Sequence, residues 1–365
     1  MAPLLLITGG GTGGHVSPGL GVAAQWQKRH GQGTVAWVGK PGGIEAGMAE
    51  RAGLAFHPVL SVALKRGLEL SNLSLPLQVL RGWRQAAALI KAQRPAAVLM
   101  TGGYVGLPLG LAAVTAKVPL VLLEPNAVPG LANRLLQPLA AKLCLAYPVA
   151  RPSAKTVVTG TPCRLDYLPS NAEAKRVLGL DPGKRSLLVL PGSQAARSIN
   201  AALRGALPQL KDRAGAWQWI WMSGAAELEA CKQAVHASPL SIEVLGFVND
   251  VATAYAAADL VLCRSGASTL AELGVAAKPS LQVPYPHATG DHQRANARAF
   301  AAAGAAQVLD ERDLDAASLE KALRGLLDSH DTLDKMQAAA RALGKPQAAA
   351  AVTDELEAAA GLVRA

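Results

Sequence analysis

Short apolar runs alternate along the chain with longer, alanine-rich stretches of mixed polarity. The runs cover residues 4–7, 34–39, 56–59, 96–100 and 119–123 in the first half, and 186–190, 217–222, 242–247, 259–263 and 280–283 in the second. Runs of this length indicate buried strands, whereas stretches such as 16–30 and 75–93 have the spacing of helices. Strands that alternate with helices predict an α/β protein with doubly wound parallel sheets. Residues 307–309 and 319–327 are expected to complete the second sheet layer.

The first apolar run opens into a glycine-rich loop at residues 9–15, which reads Gly-Gly-Gly-Thr-Gly-Gly-His. Glycine permits positive φ and a close approach of backbone N–H groups to a ligand, and the helix that follows offers a positive dipole end. The loop therefore predicts a phosphate-type site, with a ligand-free tight turn as the alternative. His15 stands where the loop becomes the helix, so it is either a general base or a histidine that only packs there.

Gly9, Gly11 and Gly14 also satisfy the G-x-G-x-x-G pattern of dinucleotide-binding domains. In those domains an acidic residue at the end of the second strand binds the ribose hydroxyls. Gly39 and Lys40 stand there instead. NAD is therefore disfavoured, and NADP stays open only through a contact of Lys40 with a 2′-phosphate.

The second half repeats the sequence of strand, glycine turn and helix. One turn contains Gly192 and Ser193, and residues 264–272 read Arg-Ser-Gly-Ala-Ser-Thr-Leu-Ala-Glu. Small residues at a helix start leave room for a pyrophosphate against unpaired N–H groups. Glu272, further along that helix, is a candidate acceptor for ribose hydroxyls. The alternative is an N-capped helix with a solvated glutamate.

Length and composition narrow the choice of domains and partners. A chain of 365 residues favours two domains, at 1–160 and 161–344, with residues 345–365 as a C-terminal helix that packs back on the first domain. Gly160 and Pro162 mark the hinge. The net charge of +10 indicates an anionic partner, but the basic residues are scattered, which argues against nucleic acid.

Cysteine and carboxylate spacing limits the chemistry further. Four separated cysteines without a C-x-x-C pair predict reduced thiols in a cytoplasmic protein, and the apolar N-terminus lacks the features of a signal peptide. No cluster of His, Cys and carboxylates predicts a metal site. Asp313 and Asp315, spaced as D-x-D, are expected to cap a helix.

One predicted helix, at 75–93, mixes apolar and basic side chains. We name its candidate membrane-facing residues the lipid patch: Leu75, Val79, Leu80, Arg81, Trp83 and Arg84. A basic-rimmed apolar surface suits contact with anionic lipid, and core packing is the alternative for the apolar members.

Together these motifs resemble the MurG family, bacterial transferases that add N-acetylglucosamine to the lipid-linked muramyl-pentapeptide precursor of peptidoglycan. The resemblance covers nearly the whole chain and rests on an ordered set: the loop at 9–15, Gly-Gly-Tyr-Val-Gly at 102, Glu-Pro-Asn at 124, Gly-Thr-Pro-Cys-Arg at 160, Gly-Ser-Gln at 192, the stretch 264–272 and Asp-His-Gln at 291. The family pattern differs at three places, where this chain has Pro125, Thr161 and Ala195.

The resemblance implies a GT-B fold, in which two Rossmann-like domains hold UDP-N-acetylglucosamine in the cleft between them. The second domain would bind the nucleotide through Ser193, Val248, Ala267, Ser268, Thr269, Leu270, Ala271, Glu272 and Gln293. The first would present to sugar, acceptor and diphosphate the residues Thr12, Gly13, Gly14, His15 and Asn126, with Arg164 near the hinge.

The implied reaction is an inverting transfer without a metal or other cofactor, in which His15 is the candidate base. The implied partners are UDP-N-acetylglucosamine, undecaprenyl-diphosphate-linked muramyl-pentapeptide, an anionic membrane surface on the cytoplasmic side of the cell membrane, and other proteins of cell-wall synthesis. Three alternatives stay open: a UDP-N-acetylglucosamine 2-epimerase of the same fold, which should carry additional acid/base carboxylates, an NADP-binding reductase, and an inactive membrane-associated binder.

Overall fold

The computed structural model describes residues 2–61, 75–163, 165, 167–192, 197–236, 238–248 and 250–362. They form two compact units, of which the first combines Met1–Arg164 with Lys345–Ala365 and the second comprises Leu165–Gly344. The expected boundary at 160–161 lies just before the observed one. None of the described helices combines the length and the hydropathy that a membrane span requires.

The described chain alternates strands and helices almost throughout. The strands are β1 (Leu5–Thr8), β2 (Val35–Gly39), β3 (Ala55–Pro58), β4 (Ala97–Met100), β5 (Leu120–Glu124), β6 (Lys142–Leu145), β7 (Thr156–Val158), β8 (Arg185–Leu190), β9 (Trp217–Met222), β10 (Ser241–Leu245), β11 (Leu260–Cys263), β12 (Ser280–Gln282) and β13 (Ala306–Val308). The helices are α1 (Gly13–His30), α2 (Ile44–Arg51), α3 (Leu75–Gln93), α4 (Leu107–Thr115), α5 (Leu131–Leu136), α6 (Asn171–Val177), α7 (Arg197–Ala206), α8 (Leu228–His236), α9 (Val251–Ala257), α10 (Ala267–Val275), α11 (His292–Ala302), α12 (Ala316–Leu327), α13 (His330–Leu343) and α14 (Ala348–Ala359).

The first unit is a doubly wound sheet in the order β3-β2-β1-β4-β5-β6-β7, with parallel pairing throughout. Leu5 and Ile7 of β1 pack into one core with α1 and α14, whereas Leu6 packs into a second core with α3 and α4. Successive residues of a strand point to opposite faces, so a strand covered on both sides is apolar throughout. This explains the uninterrupted apolar run at the start of the chain.

The C-terminal helix α14 belongs to this first core. Val352 and Leu356 are fully buried in the cluster that contains Trp26 of α1. Ion pairs border this contact, with Arg29 Nη1 2.7 Å from Asp354 and 2.8 Å from Glu357. Half-exposed ion pairs contribute little individually, so apolar burial is the main term that holds α14 in place.

The second unit is a separate sheet in the order β10-β9-β8-β11-β12-β13, again with parallel pairing. Trp217, Trp219 and Trp221 of β9 all lie in one core, together with apolar residues of α7 and α12. The assignment of residues 319–327 to the sheet layer is wrong, because they lie in α12. Their buried leucines recur every three or four residues, which is the spacing of a helix.

In both sheets the strand order reverses beside the first strand of the unit. The reversal lies between β1 and β4 in the first sheet, and between β8 and β11 in the second. Loops that leave the carboxyl ends of two such strands diverge to opposite faces and leave a crevice where ligands bind. Each unit therefore has one preferred place for a site, and both places carry the glycine turns found in the sequence.

Candidate functional site

His15 lies in the first turn of α1, directly after the glycine loop that follows β1. Its Nδ1 atom is 3.1 Å from the carbonyl oxygen of Gly10, and Thr12 Oγ1 lies 3.3 Å from the same nitrogen. A carbonyl oxygen can only accept a hydrogen bond, so the neutral ring carries its proton on Nδ1. Nε2 is then the nitrogen that can take up a proton from a substrate.

The glycine turn after β4 packs against the same imidazole. Thr101 Oγ1 donates a 2.6 Å hydrogen bond to the backbone oxygen of His15. A Cβ atom at Gly102 would lie 3.0 Å from Cδ2 and 3.2 Å from Nε2 of the ring, and one at Gly103 would lie 2.5 Å from the oxygen of Gly10. Both glycines have positive φ, +104° and +79°. Only glycine combines this backbone with this close approach, so the second turn holds His15 in place.

A buried carboxylate closes the space behind the loop. Glu45, at the start of α2, is fully buried, and its Oε1 accepts a 3.0 Å hydrogen bond from the backbone N–H of Lys40. A Cβ atom added at Gly10 or Gly39 would lie within 3 Å of its side chain. Because Glu45 is enclosed by its own unit, it is not accessible as the acidic ligand of a ribose. This arrangement argues against a dinucleotide at the loop.

Asn126 is oriented by a second buried carboxylate, that of Glu124 at the end of β5. Glu124 accepts hydrogen bonds from Asn126 N at 3.0 Å, Asn126 Nδ2 at 3.1 Å, Gly130 N at 2.9 Å and Asn133 Nδ2 at 2.9 Å. Four donors satisfy most of the capacity of one carboxylate. Pro125 removes no donor from this arrangement, since the bonds come from its neighbours. Sequence reasoning missed the anchoring role of Glu124.

In the second unit, α10 begins at Ala267 directly after β11, and no side chain caps it. The hydroxyl oxygens of Ser265 and Ser268 are buried without a hydrogen-bond partner among the described residues. A helix start with unpaired donors is suited to a phosphate. The side chain of Leu270 is buried, and its N–H donates to the carbonyl oxygen of Gly266 at 3.0 Å.

Glu272 is the predicted ribose ligand. Tyr255 on α9 donates a 3.0 Å hydrogen bond to Glu272 Oε2. Burial raises the pKa of the Glu272 carboxyl to about 7, although the bond from Tyr255 acts in the opposite direction. The side chain of Glu272 is half-buried and one of its oxygens is bound by Tyr255, so it is not the freely solvated glutamate of the predicted alternative. A half-buried carboxyl with one fixed donor and a raised pKa is a candidate ligand-binding group.

The predicted residues of the second unit that are not on α10 lie after β10, at the start of α11 or outside the described chain. Val248 is buried in the segment after β10. Gln293 is at the start of α11, where its Oε1 accepts a hydrogen bond from the N–H of Tyr285 at 3.0 Å. Ser193 and Arg164 lie outside the described residues, as does Ala195.

Arg264 is the first residue of the 264–272 motif, and the sequence predicted no role for it. Its buried guanidinium forms an ion pair with Glu311 and donates to the carbonyl oxygen of Val283 at 3.0 Å and to Ser198 Oγ at 3.1 Å. Burial would raise the pKa of the Glu311 carboxyl, but the bonds from Arg264 and Ser198 lower it below its usual value. Arg264 thus ties the segments after β11, β12 and β13 to α7.

The lipid patch lies on α3, and its members differ in exposure. Leu80 is 39% exposed, Arg81 and Arg84 are exposed, and Val79 is half-buried. Trp83 packs against the core and donates from Nε1 to Thr115 Oγ1 at 3.2 Å. The structure describes only the backbone at Leu75. A further set of exposed apolar side chains, spaced by three or four residues in the sequence, was missed: Val128, Leu131, Leu135 and Leu139.

The carboxylates singled out for metal binding have a structural role. Asp315 caps α12 and forms a capping box with Ser318. This confirms the prediction of a helix cap. In the described ranges, no group of three or more His, Cys, Asp or Glu side chains is placed to hold a metal ion. None of the four cysteines, all of which lie in the described ranges, forms a disulfide bond.

Two family models match the chain. The glycosyltransferase family 28 N-terminal domain matches residues 5–144, and the C-terminal domain of the same family matches residues 186–352. Together these matches span most of both units. The interval between them contains the observed boundary.

Full-length relatives agree with this assignment. The chain is 41% identical over 359 residues to a UDP-N-acetylglucosamine--N-acetylmuramyl-(pentapeptide) pyrophosphoryl-undecaprenol N-acetylglucosamine transferase of Stutzerimonas stutzeri, with coverage of 97% of this chain and 98% of that one. It is 36% identical to a protein of the same name from Desulforudis audaxviator, with 98% of each chain covered.

Solved structures agree as well. The crystal structure of Acinetobacter baumannii MurG matches with a TM-score of 0.80 at 30% identity, covering 98% of this chain and 100% of that chain. A UDP-N-acetylglucosamine 2-epimerase matches at a TM-score of 0.64 and 15% identity, over 100% of this chain and 98% of that one, which shows a shared fold alone. The chain belongs to glycosyltransferase family 28, has the GT-B fold, and within that family is a member of the MurG group of N-acetylglucosaminyltransferases.

Proposed function

We propose that the protein transfers N-acetylglucosamine from UDP-N-acetylglucosamine to the 4-hydroxyl of lipid-linked N-acetylmuramyl-pentapeptide, with inversion at the anomeric carbon. The names of the relatives supply the two substrates. The main observation in support of the proposed general base is the hydrogen bond between His15 Nδ1 and the carbonyl oxygen of Gly10. It leaves Nε2 as the basic nitrogen of a residue at the first crevice, where a hydroxyl acceptor needs a base.

The step is a single displacement. The acceptor oxygen forms a bond to the anomeric carbon as the bond from that carbon to the diphosphate oxygen breaks, and inversion follows from attack on the opposite face. His15 Nε2 takes the hydroxyl proton, and UDP leaves with the electron pair of the broken bond. General-base assistance of this kind contributes about 10²–10⁴-fold to a rate.

Charge that develops on the diphosphate needs fixed donors. We assign this role to the N-terminal N–H groups of α10 and to the hydroxyls of Ser265 and Ser268, which are buried and lack partners among the described residues. Pre-oriented donors cost no reorganisation during the reaction and therefore stabilise the leaving group effectively. Arg164 is proposed as an additional cation, on the resemblance alone.

Purified protein is expected to release UDP when given UDP-N-acetylglucosamine and a lipid-linked muramyl-pentapeptide analogue, at a rate that EDTA does not change. The physical reason is that N–H groups and hydroxyls supply the charge stabilisation proposed above. UDP release is measured by a coupled assay, with a donor-only reaction as the control. Formation of the 2-epimerised sugar without UDP release would contradict the proposal, and loss of turnover in EDTA would contradict its metal independence.

The two enzyme alternatives are less well supported. A 2-epimerase should carry acid/base carboxylates, yet Glu45 and Glu124, next to the first crevice, are buried and engaged by backbone or side-chain N–H groups of their own unit. An NADP reductase needs a ribose-binding residue at the end of β2. The acidic Glu45, at the start of α2, is buried, and Lys40 is the only exposed ionisable side chain between residues 39 and 45.

We further propose that the first unit contacts an anionic membrane at the cytoplasmic side through the lipid patch. Leu80, Arg81 and Arg84 are exposed on one helix, and Leu77 on the same helix is 51% exposed. Basic residues near an anionic surface contribute about 1 kcal/mol each, and the apolar side chains add burial in the interface.

Charge reversal at Arg81 and Arg84 together is expected to lower binding to vesicles with anionic lipid at least about tenfold, because two favourable charges become repulsive. Vesicle flotation measures the bound fraction, and vesicles of neutral lipid are compared in parallel. The matched control reverses Arg176 and Arg298, two exposed arginines of the second unit. Equal loss with both double variants would mean that net charge, rather than the lipid patch, governs binding.

A further inference from the structure

Tyr255 is a fully buried tyrosine whose hydroxyl the reaction described above does not use. It lies on α9, and its hydroxyl donates to Glu272 Oε2 across to α10 at 3.0 Å. From sequence alone it is one apolar position among the alanines of α9. A buried tyrosine usually finds a hydrogen-bond partner, but here the partner is the carboxylate proposed to bind the ribose.

The helix that carries Tyr255 is anchored at both ends. At its start Asp250 accepts hydrogen bonds from Thr253 N at 3.0 Å and from Thr253 Oγ1 at 2.6 Å. At its end Asn171 Nδ2 donates to the carbonyl of Ala257 at 3.1 Å, and Lys278 Nζ donates to that of Ala258 at 2.7 Å. The phenol of Tyr255 is therefore carried by a helix whose two ends are fixed by hydrogen bonds. The segment before this helix contains Val248, another predicted nucleotide contact.

We propose that Tyr255 is a positioning residue, which binds one oxygen of Glu272 and thereby orients the carboxylate toward the two hydroxyls of a ribose. The inference rests on the proposed function, in which Glu272 binds the ribose of UDP-N-acetylglucosamine. A carboxylate has two oxygens with about four acceptor positions, so one bond to Tyr255 leaves capacity for a diol. A glutamate side chain also loses rotamer freedom on binding, and an existing bond reduces that loss.

The same bond affects the charge of the carboxyl. Burial raises the pKa of Glu272 to about 7, and the hydrogen bond from Tyr255 opposes this rise. Among the described residues, Cys263 on β11 also interacts electrostatically with Glu272, and its thiol is neutral because burial raises its pKa far above the usual range. Without the phenol, Glu272 would take up a proton at a higher pH, and a protonated carboxyl is a poorer acceptor for hydroxyls.

The test compares UDP with 2′,3′-dideoxy-UDP, which lacks both ribose hydroxyls, by calorimetry on the full chain between pH 5.5 and 9. Tyr255→Phe is expected to weaken UDP binding about tenfold near neutral pH, in line with the loss of a bond to a charged group. Binding of the dideoxy analogue should not change. The pH below which UDP binding declines should move upward, and the donor KM should rise while kcat stays nearly constant.

Thr253→Val is the matched control, because it removes a buried hydroxyl from the same helix without touching Glu272. If it weakens UDP binding as much as Tyr255→Phe does, or if Tyr255→Phe weakens both nucleotides equally, the hydroxyl of Tyr255 only stabilises α9 and the inference is overturned. If the unmodified protein itself binds the two nucleotides equally, the ribose role of Glu272 fails instead. A retained preference for UDP in Tyr255→Phe, with no shift in its pH profile, would refute the positioning role alone.

Discussion

Replacing His15 with alanine is expected to lower kcat by about 10²–10⁴-fold while the affinity for UDP-N-acetylglucosamine changes little, because a general base acts only on the acceptor hydroxyl. His15→Asn is the sharper variant. An asparagine amide can still donate to the carbonyl of Gly10, so the loop keeps one of its contacts, but it cannot accept a proton. Both variants should therefore lose turnover to a similar extent.

The measurements are steady-state kinetics at saturating donor and donor binding by calorimetry. The unmodified protein should lose activity on the acidic side as the imidazole becomes protonated, and this decline should be absent from the residual activity of His15→Asn. His57→Ala, which removes a histidine from the edge strand β3 of the same unit, is the control. If donor affinity collapses in His15→Ala while kcat at saturation is kept, His15 binds substrate and another group is the base.

Gly103→Ala is expected to cause the second large loss, with kcat reduced about 10²-fold, because a shift of a reacting group by about 1 Å can cost that much. The new Cβ atom would lie 2.5 Å from the carbonyl oxygen of Gly10 and 3.2 Å from His15 Nδ1. That oxygen holds the imidazole, so either the loop or the ring must move. Backbone strain at φ +79°, ψ 156° adds about 1–3 kcal/mol of destabilisation.

The strain can be separated from the displacement of His15 with a second glycine. Gly31 has nearly the same backbone conformation, φ 95° and ψ 164°, but a Cβ atom there would meet nothing within 4 Å. Gly31→Ala should lower the melting temperature through the backbone strain alone, and therefore less than Gly103→Ala does, and it should retain kcat. Equal losses of kcat in the two variants would mean that activity follows stability alone, and that the turn after β4 has no specific role in holding His15.

The sequence allowed the prediction of features that depend on neighbouring residues. The run before the glycine loop, the helix start after residue 266 and the cap at Asp315 follow from local rules of burial, helix termini and capping. Two parallel sheets follow from the alternation of strands and helices. His15 could be selected as a candidate from the sequence because it stands at the end of the glycine loop.

Features that depend on the order of strands in a sheet were not predictable in the same way. Gly102 follows β4 and His15 follows β1, and they meet because these strands are neighbours at the reversal of the sheet. Glu45 lies behind the loop because β2 is the neighbour of β1 on the other side. Tyr255 was inconspicuous for the same reason, since its partner Glu272 belongs to another helix. Periodicity along the chain contains no information about such pairs.

The position of α14 affects the order in which the two units can fold during synthesis. The ribosome completes β1 to β7 first, then the whole of Leu165–Gly344, and only afterwards the helix whose Val352 and Leu356 fill the core beside Trp26. Until then the first unit has an uncovered apolar face, while the second unit is already complete and can fold as a domain on its own. The second unit, to which nucleotide binding is assigned in the proposed function, can therefore mature earlier than the unit with the proposed base, although its sequence comes later.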